Sequence, residues 1–214
     1  NIRLADNFFQ NPNIEWVLLG SVLKNIRNGM NLATSYYSME ETQYKYISVS
    51  QIKEYGLVDK NQNFLVEGVQ ELSNYFELKE NMILVTRSGT IGVAISTSHP
   101  SFKFDEYSYI ASGFVITAEV IEGISADVIA NYINMYFVQR YLVAMSAGAC
   151  QKNISQPVIS NLPIPSVLLR DDNYECLFEQ YQKESINILE QIAEKEKMLE
   201  DKKIQISELI FKDL

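Results

Sequence analysis

From Asp171 to Leu214 the chain contains neither proline nor glycine, the residues that most strongly disfavour a helix interior. Asp171, Asp172 and Asn173 open the stretch as N-cap residues, and their acidic charge suits the positive end of a helix dipole. One helix of about forty residues is predicted, roughly 60 Å long at 1.5 Å per residue. Ile192, Leu199 and Ile206 recur at seven-residue spacing beside Ile188/Leu189 and Leu209/Ile210, the pattern of a coiled-coil seam. Lys195/Glu196 and Lys202/Lys203 interrupt that seam. A helix with one apolar stripe is not stable projecting alone into water. Residues 171–214 are therefore expected to pair with another helix through Ile188, Ile192, Leu199, Ile206 and Leu209.

Upstream, Leu162-Pro163-Ile164-Pro165 forces an extended chain and marks the end of a first domain, residues 1–170. With 47% hydrophobic residues in 214, that domain can fill a core. An apolar segment opens at Trp16–Leu23, and strands are predicted at Tyr44–Val49, Met82–Thr86, near Val93–Ser96 and at Gly113–Thr117. Lys24–Thr42 is expected to be an exposed loop, and residues 64–78 to include a short helix. Val128, Ile129, Tyr132, Ile133, Tyr136, Phe137 and Tyr141 recur at helical spacing, so Ser125–Met145 is predicted as an amphipathic helix packed on the sheet. The class is α+β with a mixed β-sheet. No run has the length of a membrane span and no signal peptide opens the chain, so a cytoplasmic location is expected. Cys150 and Cys176 match no zinc or redox spacing and are expected in the core.

Net charge is −9, which by itself disfavours a polyanion partner. Its distribution matters more: residues 1–170 hold 12 Lys and Arg against 15 Asp and Glu, and residues 171–214 hold 6 against 12. The first domain is thus near neutral, at −3, and can carry a local basic face.

Three polar groups have the chemistry to meet nucleic acid. In Met82–Val93 (MILVTRSGTIGV), Arg87 is a planar donor fork suited to a phosphate or to guanine, and Ser88 and Thr90 add hydroxyls. The alternative is a tight turn whose Arg87 pairs with a carboxylate such as Glu80. Gln151 and Asn153 carry amides that can bond adenine, beside Lys152 for the backbone; equally, the amides can cap neighbouring elements. Lys24, Arg27, Asn28 and Asn31, with Tyr36 and Tyr37, form the third group, for which plain loop polarity is the competing account. Catalytic signals are poor. His99, the one histidine, has no nucleophile constellation around it. Gly89–Gly92 lacks the length and lysine of a phosphate loop, and Glu200-Asp201-Lys202 lies on the long helix as a solvated face. No metal or cofactor is expected.

Four segments in order carry a family likeness: WVLLGSV at Trp16–Val22, LKENMILVTRSGTIG at Leu78–Gly92, the Gly148, Gln151, Asn153, Ile154, Ser155 pattern, and Leu162–Pro165 leading to Gln180 and the long helix. Together they resemble the DNA-specificity subunit of type I restriction-modification systems, with one target recognition domain and its conserved helix. The chain departs in the acidic insert after Ser166 and in lacking an internal repeat. It opens on Asn1, which admits a longer parent. The resemblance implies noncatalytic recognition of double-stranded DNA, with a methyltransferase subunit and a restriction (motor-nuclease) subunit as partners. It also implies a homodimer, or pairing with a second recognition half, through helices that set the spacing of a bipartite target. Two other functions remain open: the recognition region of a single-chain restriction-modification enzyme, and a coiled-coil assembly scaffold.

Overall fold

The computed structural model describes residues 9–58, 63–69, 76–146, 152–170 and 172–212. It divides into two compact units, Asn1–Glu175 and Cys176–Leu214.

The first unit is built around β8, Met82–Thr86, whose five residues are all buried. A strand apolar on both faces needs cover on both faces and a neighbour at each edge. Its neighbours are β9 (Ala94–Ser96) and β11 (Val115–Val120), and β11 pairs in turn with β2 (Leu23–Asn28). The sheet β2-β11-β8-β9 is antiparallel throughout, with Val115 opposite Thr86 and Ile116 opposite both Val85 and Asn28. A second sheet has the order β10-β4-β7-β3. It comprises β3 (Tyr37–Ser38), β4 (Tyr44–Ile47), β7 (Phe64–Leu65) and β10 (Ser108–Ala111), with β4 and β10 parallel. The edge strand β10 of the mixed sheet leads directly into the first sheet, passing through Ser112-Gly113-Phe114 into β11. A core of Ile47, Ile52, Leu78, Met82, Leu84, Ile95, Phe102, Tyr109, Ala111 and Val115 joins the two sheets.

Two short ribbons complete the strands. β5 (Ile52–Lys53) and β6 (Gly56–Leu57) form a hairpin. β1 (Trp16–Leu18) pairs with β12 (Pro163–Pro165), so the first and last segments of the domain meet, Val17 opposite Ile164. Proline donates no ladder bond and is tolerated in so short a ribbon.

Helix α1, Ala126–Asn134, packs on β8 and β9. The predicted single helix over Ser125–Met145 is two: Met135 adopts an extended ψ of 139°, and α2, Tyr136–Met145, starts afresh. Side-chain periodicity did not register the break because apolar residues continue across it. Three more expectations are corrected. Lys24–Thr42 is not one loop, since Leu23–Asn28 is a full partner of β11 and carries a bulge at Asn25, φ 51°. A strand at Ser108–Ala111 was missed, as was the short helix α3, Gln156–Ser160, which has proline in its first turn. Cys176 is exposed, not core, and Cys150 lies outside the described residues.

The second unit continues α4, the helix Asp172–Lys212 of 41 residues. Leu177, Tyr181, Ile188, Ile192 and Leu199 are exposed along one stripe. Leu177, Ile188 and Leu199 stand eleven residues apart, as do Tyr181 and Ile192. That period is nearer a straight or slightly right-handed packing seam than a heptad. Ile206 and Leu209 are on the helix, with side chains outside the described set.

Two consequences are measurable. Tyr132 is fully buried and its hydroxyl donates to the Pro163 carbonyl, tying α1 to β12. Tyr132→Phe should lower stability by about 1 to 2 kcal/mol in chemical denaturation. His99 is buried, with Nδ1 2.8 Å from Ser101 Oγ and accepting the Ser101 backbone N–H at 3.1 Å. Burial holds its pKa below the ordinary 6.5. The unfolded chain then binds the proton first, so this contribution is complete above about pH 6.5 and is lost as pH falls toward the lowered value. Melting temperature should drop between pH 7 and 5.5, and His99→Asn should flatten that drop.

Candidate nucleic-acid interface

Thr86 ends β8, and its side chain sets the turn that follows. Its hydroxyl accepts the Val93 N–H at 3.0 Å and donates to the Thr90 carbonyl, closing the loop 86–93 on itself. Gly92, at φ +82°, sits where a Cβ would come within 3.1 Å of Leu142 and 3.3 Å of Gln139, and the Gln139 Nε2 donates to its carbonyl at 2.6 Å. Beyond the turn, the Asn134 amide takes both backbone groups of Ala94, accepting its N–H at 2.9 Å and donating to its carbonyl at 2.8 Å. Thr86, Asn134 and Gln139 thus hold the Arg-Ser-Gly-Thr-Ile-Gly turn rigid. Sequence reasoning missed Asn134 and Gln139; amides at the end of one helix and the start of the next were the available sign.

Arg87 emerges from this frame. Its backbone N–H donates to the Phe114 carbonyl at 3.0 Å, and its own carbonyl accepts the Ile154 N–H at 3.0 Å. Ser88 bridges Asn153 in antiparallel fashion. Two groups far apart in sequence, Arg87-Ser88 and Lys152-Asn153, are therefore neighbours. The third group joins them in part. Gly113 donates to the Met30 carbonyl at 3.1 Å, and the Asn31 side chain lies so close to Gly113 that a Cβ there would approach Asn31 Oδ1 to 2.4 Å. Asn28, opposite Ile116, ends β2 at the same end of the sheet. Asn31, Phe114, Arg87 and Lys152 form a strip along one end of the sheet, with Asn31, Phe114 and Lys152 exposed and Arg87 half-buried.

Other candidates fall elsewhere. Arg27 is opposite Thr117, on the other face from Arg87, and its guanidinium lies 5.9 Å over the Phe76 ring. Lys24 stands beyond the bulge, opposite Glu119 at the far end of the strand. Ser88 is buried at 5% exposure, so its hydroxyl does not face solvent. Thr90 is exposed on the turn. Tyr36 and Tyr37 belong to the β3 region, Tyr37 edge-on to Tyr46 with its pKa raised by burial. Gln151, with Gly148, lies outside the described residues.

Electrostatically the strip turns on Arg87. Among the described residues it makes no ion pair with Glu80 or any other carboxylate, and its Nε is buried without a hydrogen-bond partner. Leaving a buried charged donor unmade costs about 1 to 3 kcal/mol, so such a group invites a ligand acceptor. The described residues include no cluster of three His, Cys, Asp or Glu suited to a metal, and no helix long and apolar enough to cross a membrane.

A family model, the type I restriction modification DNA specificity domain, matches residues 13–208. The chain belongs to that family. A specificity domain of this family is a noncatalytic part of a type I restriction-modification system and serves DNA sequence recognition. Solved structures share its fold. The S subunit of the type I system from M. genitalium aligns at TM-score 0.51 and 15% identity, over 80% of this chain and 39% of that one. A structure from work on complex assembly and conformational transition of the type I R-M system aligns at TM-score 0.61 and 14% identity, over 93% and 47%. The HsdS subunit from Thermoanaerobacter tengcongensis aligns at TM-score 0.54 and 10% identity, over 88% and 45%. The chain spans less than half the length of each of these. A search of curated proteins found no match. The α+β specificity-domain architecture expected from the sequence is the one these structures share.

Gly92→Ala should destabilise the specificity domain by about 1 to 2 kcal/mol, the cost of a side chain in left-handed backbone, measurable as a lowered melting temperature.

Proposed function

We propose that the strip Asn31–Phe114–Arg87–Lys152 is the face with which this specificity domain grips a short segment of double-stranded DNA. The single observation that carries it is Arg87: a cation with no ion-pair partner among the described residues, its Nε buried without a hydrogen bond and its backbone fixed from both sides, next to an exposed lysine and an exposed asparagine. Arg87 supplies the fork for a guanine O6 and N7 or for a phosphate. Lys152 supplies a phosphate contact, and Asn31, Asn28 and Asn153 supply amides that match adenine. Thr90 is a hydroxyl donor at the margin. Lys24, Arg27 and Ser88 have no part in the strip.

The long helix serves as spacer and pairing element. Its exposed apolar stripe suits a second helix, from another copy of this chain or from a second recognition half, so that two domains at a set distance read two half-sites. Chemistry falls to other subunits in this scheme: a methyltransferase that flips and methylates adenine, and a restriction subunit that cleaves.

Arg87→Ala should weaken duplex binding in titrations at fixed salt by about tenfold or more and relax base preference, equivalent to the loss of one bidentate base contact. Lys152→Ala should weaken all sequences alike and lower the slope of log K against log salt by about one. Lys24→Ala should change neither. An Arg87→Ala protein that binds as wild type removes the assignment.

A further inference from the structure

Phe114 is the member of the strip that neither charge nor hydrogen-bonding capacity accounts for. The residue is 49% exposed at a turn tip, a place usually filled by polar residues or glycine. The backbone around it is held at every step. Phe114 N donates to Ser112 Oγ at 3.2 Å, Val115 N to the Ser112 carbonyl at 2.8 Å, Gly113 N to the Met30 carbonyl at 3.1 Å, and Arg87 N to the Phe114 carbonyl at 3.0 Å. Carrying the β8–β11 register one pair past Val115 and Thr86 sets Phe114 opposite Arg87. Opposed residues of an antiparallel pair project from the same face. On its other flank is Asn31, against Gly113. A rigid apolar ring therefore sits between a group that suits guanine and one that suits adenine.

Arg87 and Asn31 can each donate to the thymine O4, but neither reads its methyl group. What marks thymine in the major groove is its C5-methyl group, which is read by apolar contact. We propose that Phe114 is a specificity-determining residue that contacts a thymine methyl next to the base read by Arg87. This rests on the reading of the strip as a DNA-binding face and adds to it a named base feature.

The test uses the full chain with its methyltransferase subunit and a random double-stranded DNA library, comparing wild type, Phe114→Ala and Phe114→Gln after selection and sequencing. Melting curves verify that the variants fold. Wild type should enrich a motif containing a thymine whose replacement by uracil, which removes only the methyl, weakens binding about fourfold, the effect of burying one methyl-sized group. Both variants should bind the thymine and uracil duplexes equally and lose preference at that one position. Retention of wild-type preference by both variants overturns the inference while leaving the DNA-binding face intact. So does a wild type indifferent to uracil at every thymine of its motif, and so does a uniform loss of affinity with preference unchanged. A wild type that enriches no sequence overturns the DNA-binding reading itself, and the inference with it.

Discussion

The pairing of β8 with β11 is the interaction on which the rest of the domain depends. Five consecutive residues of each strand face one another, from Met82 opposite Glu119 to Thr86 opposite Val115. β8 is buried on both faces, one against the core shared with the second sheet and the other under α1. A register slip of one residue would turn Ile83 and Val85 into the space of Met82 and Leu84 and expose the wrong set at the strand end. Because this register is so firmly specified, the residue that follows, Arg87, is fixed without needing contacts of its own. Its side chain can remain unpaired, at a cost carried by the surrounding apolar burial.

The same pairing explains why the family-like motif and the proposed DNA-binding strip coincide. Thr86, Gly89 and Gly92 are occupied with the turn itself: the threonine hydroxyl closes it, and the glycines take φ of +75° and +82°. The side chains of Arg87 and Thr90 take no part in closing it. The motif is thus mostly architecture, built to present one guanidinium. The Lys152-Asn153 segment is docked on it by the Ile154–Arg87 hydrogen bond and by Ile154, which is 1% exposed and acts as the anchor. Two short segments separated by more than sixty residues of chain act as one surface because a single backbone bridge joins them.

Overall charge and local charge answer different questions here. The chain is acidic, but 12 of its 27 Asp and Glu fall within residues 171–214, and the strip itself contains no carboxylate among Asn31, Phe114, Arg87 and Lys152. The field over a face depends chiefly on the charges within about 10 Å of it, since those more than a Debye length away are largely screened.

Much of this was legible in the residues. The long helix follows from the absence of proline and glycine after Pro165, β8 from a run of apolar and β-branched residues, and the α+β class from the alternation of such runs with helical spacing. Those signals are local, and local propensity suffices for them. The break at Met135 was not legible, because apolar spacing continues through it and backbone dihedrals leave no mark on a pattern of side chains. Nor was the strand at Leu23–Asn28, which is mostly polar and whose one strand partner is β11. For the site, sequence named Arg87, Lys152, Asn153 and Asn31 as candidates but could not say which of them meet. Tertiary structure decided that: strand register puts Arg87 beside Phe114 and turns Arg27 to the opposite face, because in a sheet neighbours are set by pairing across strands and facing by a period of two, neither of which follows from distance along the chain.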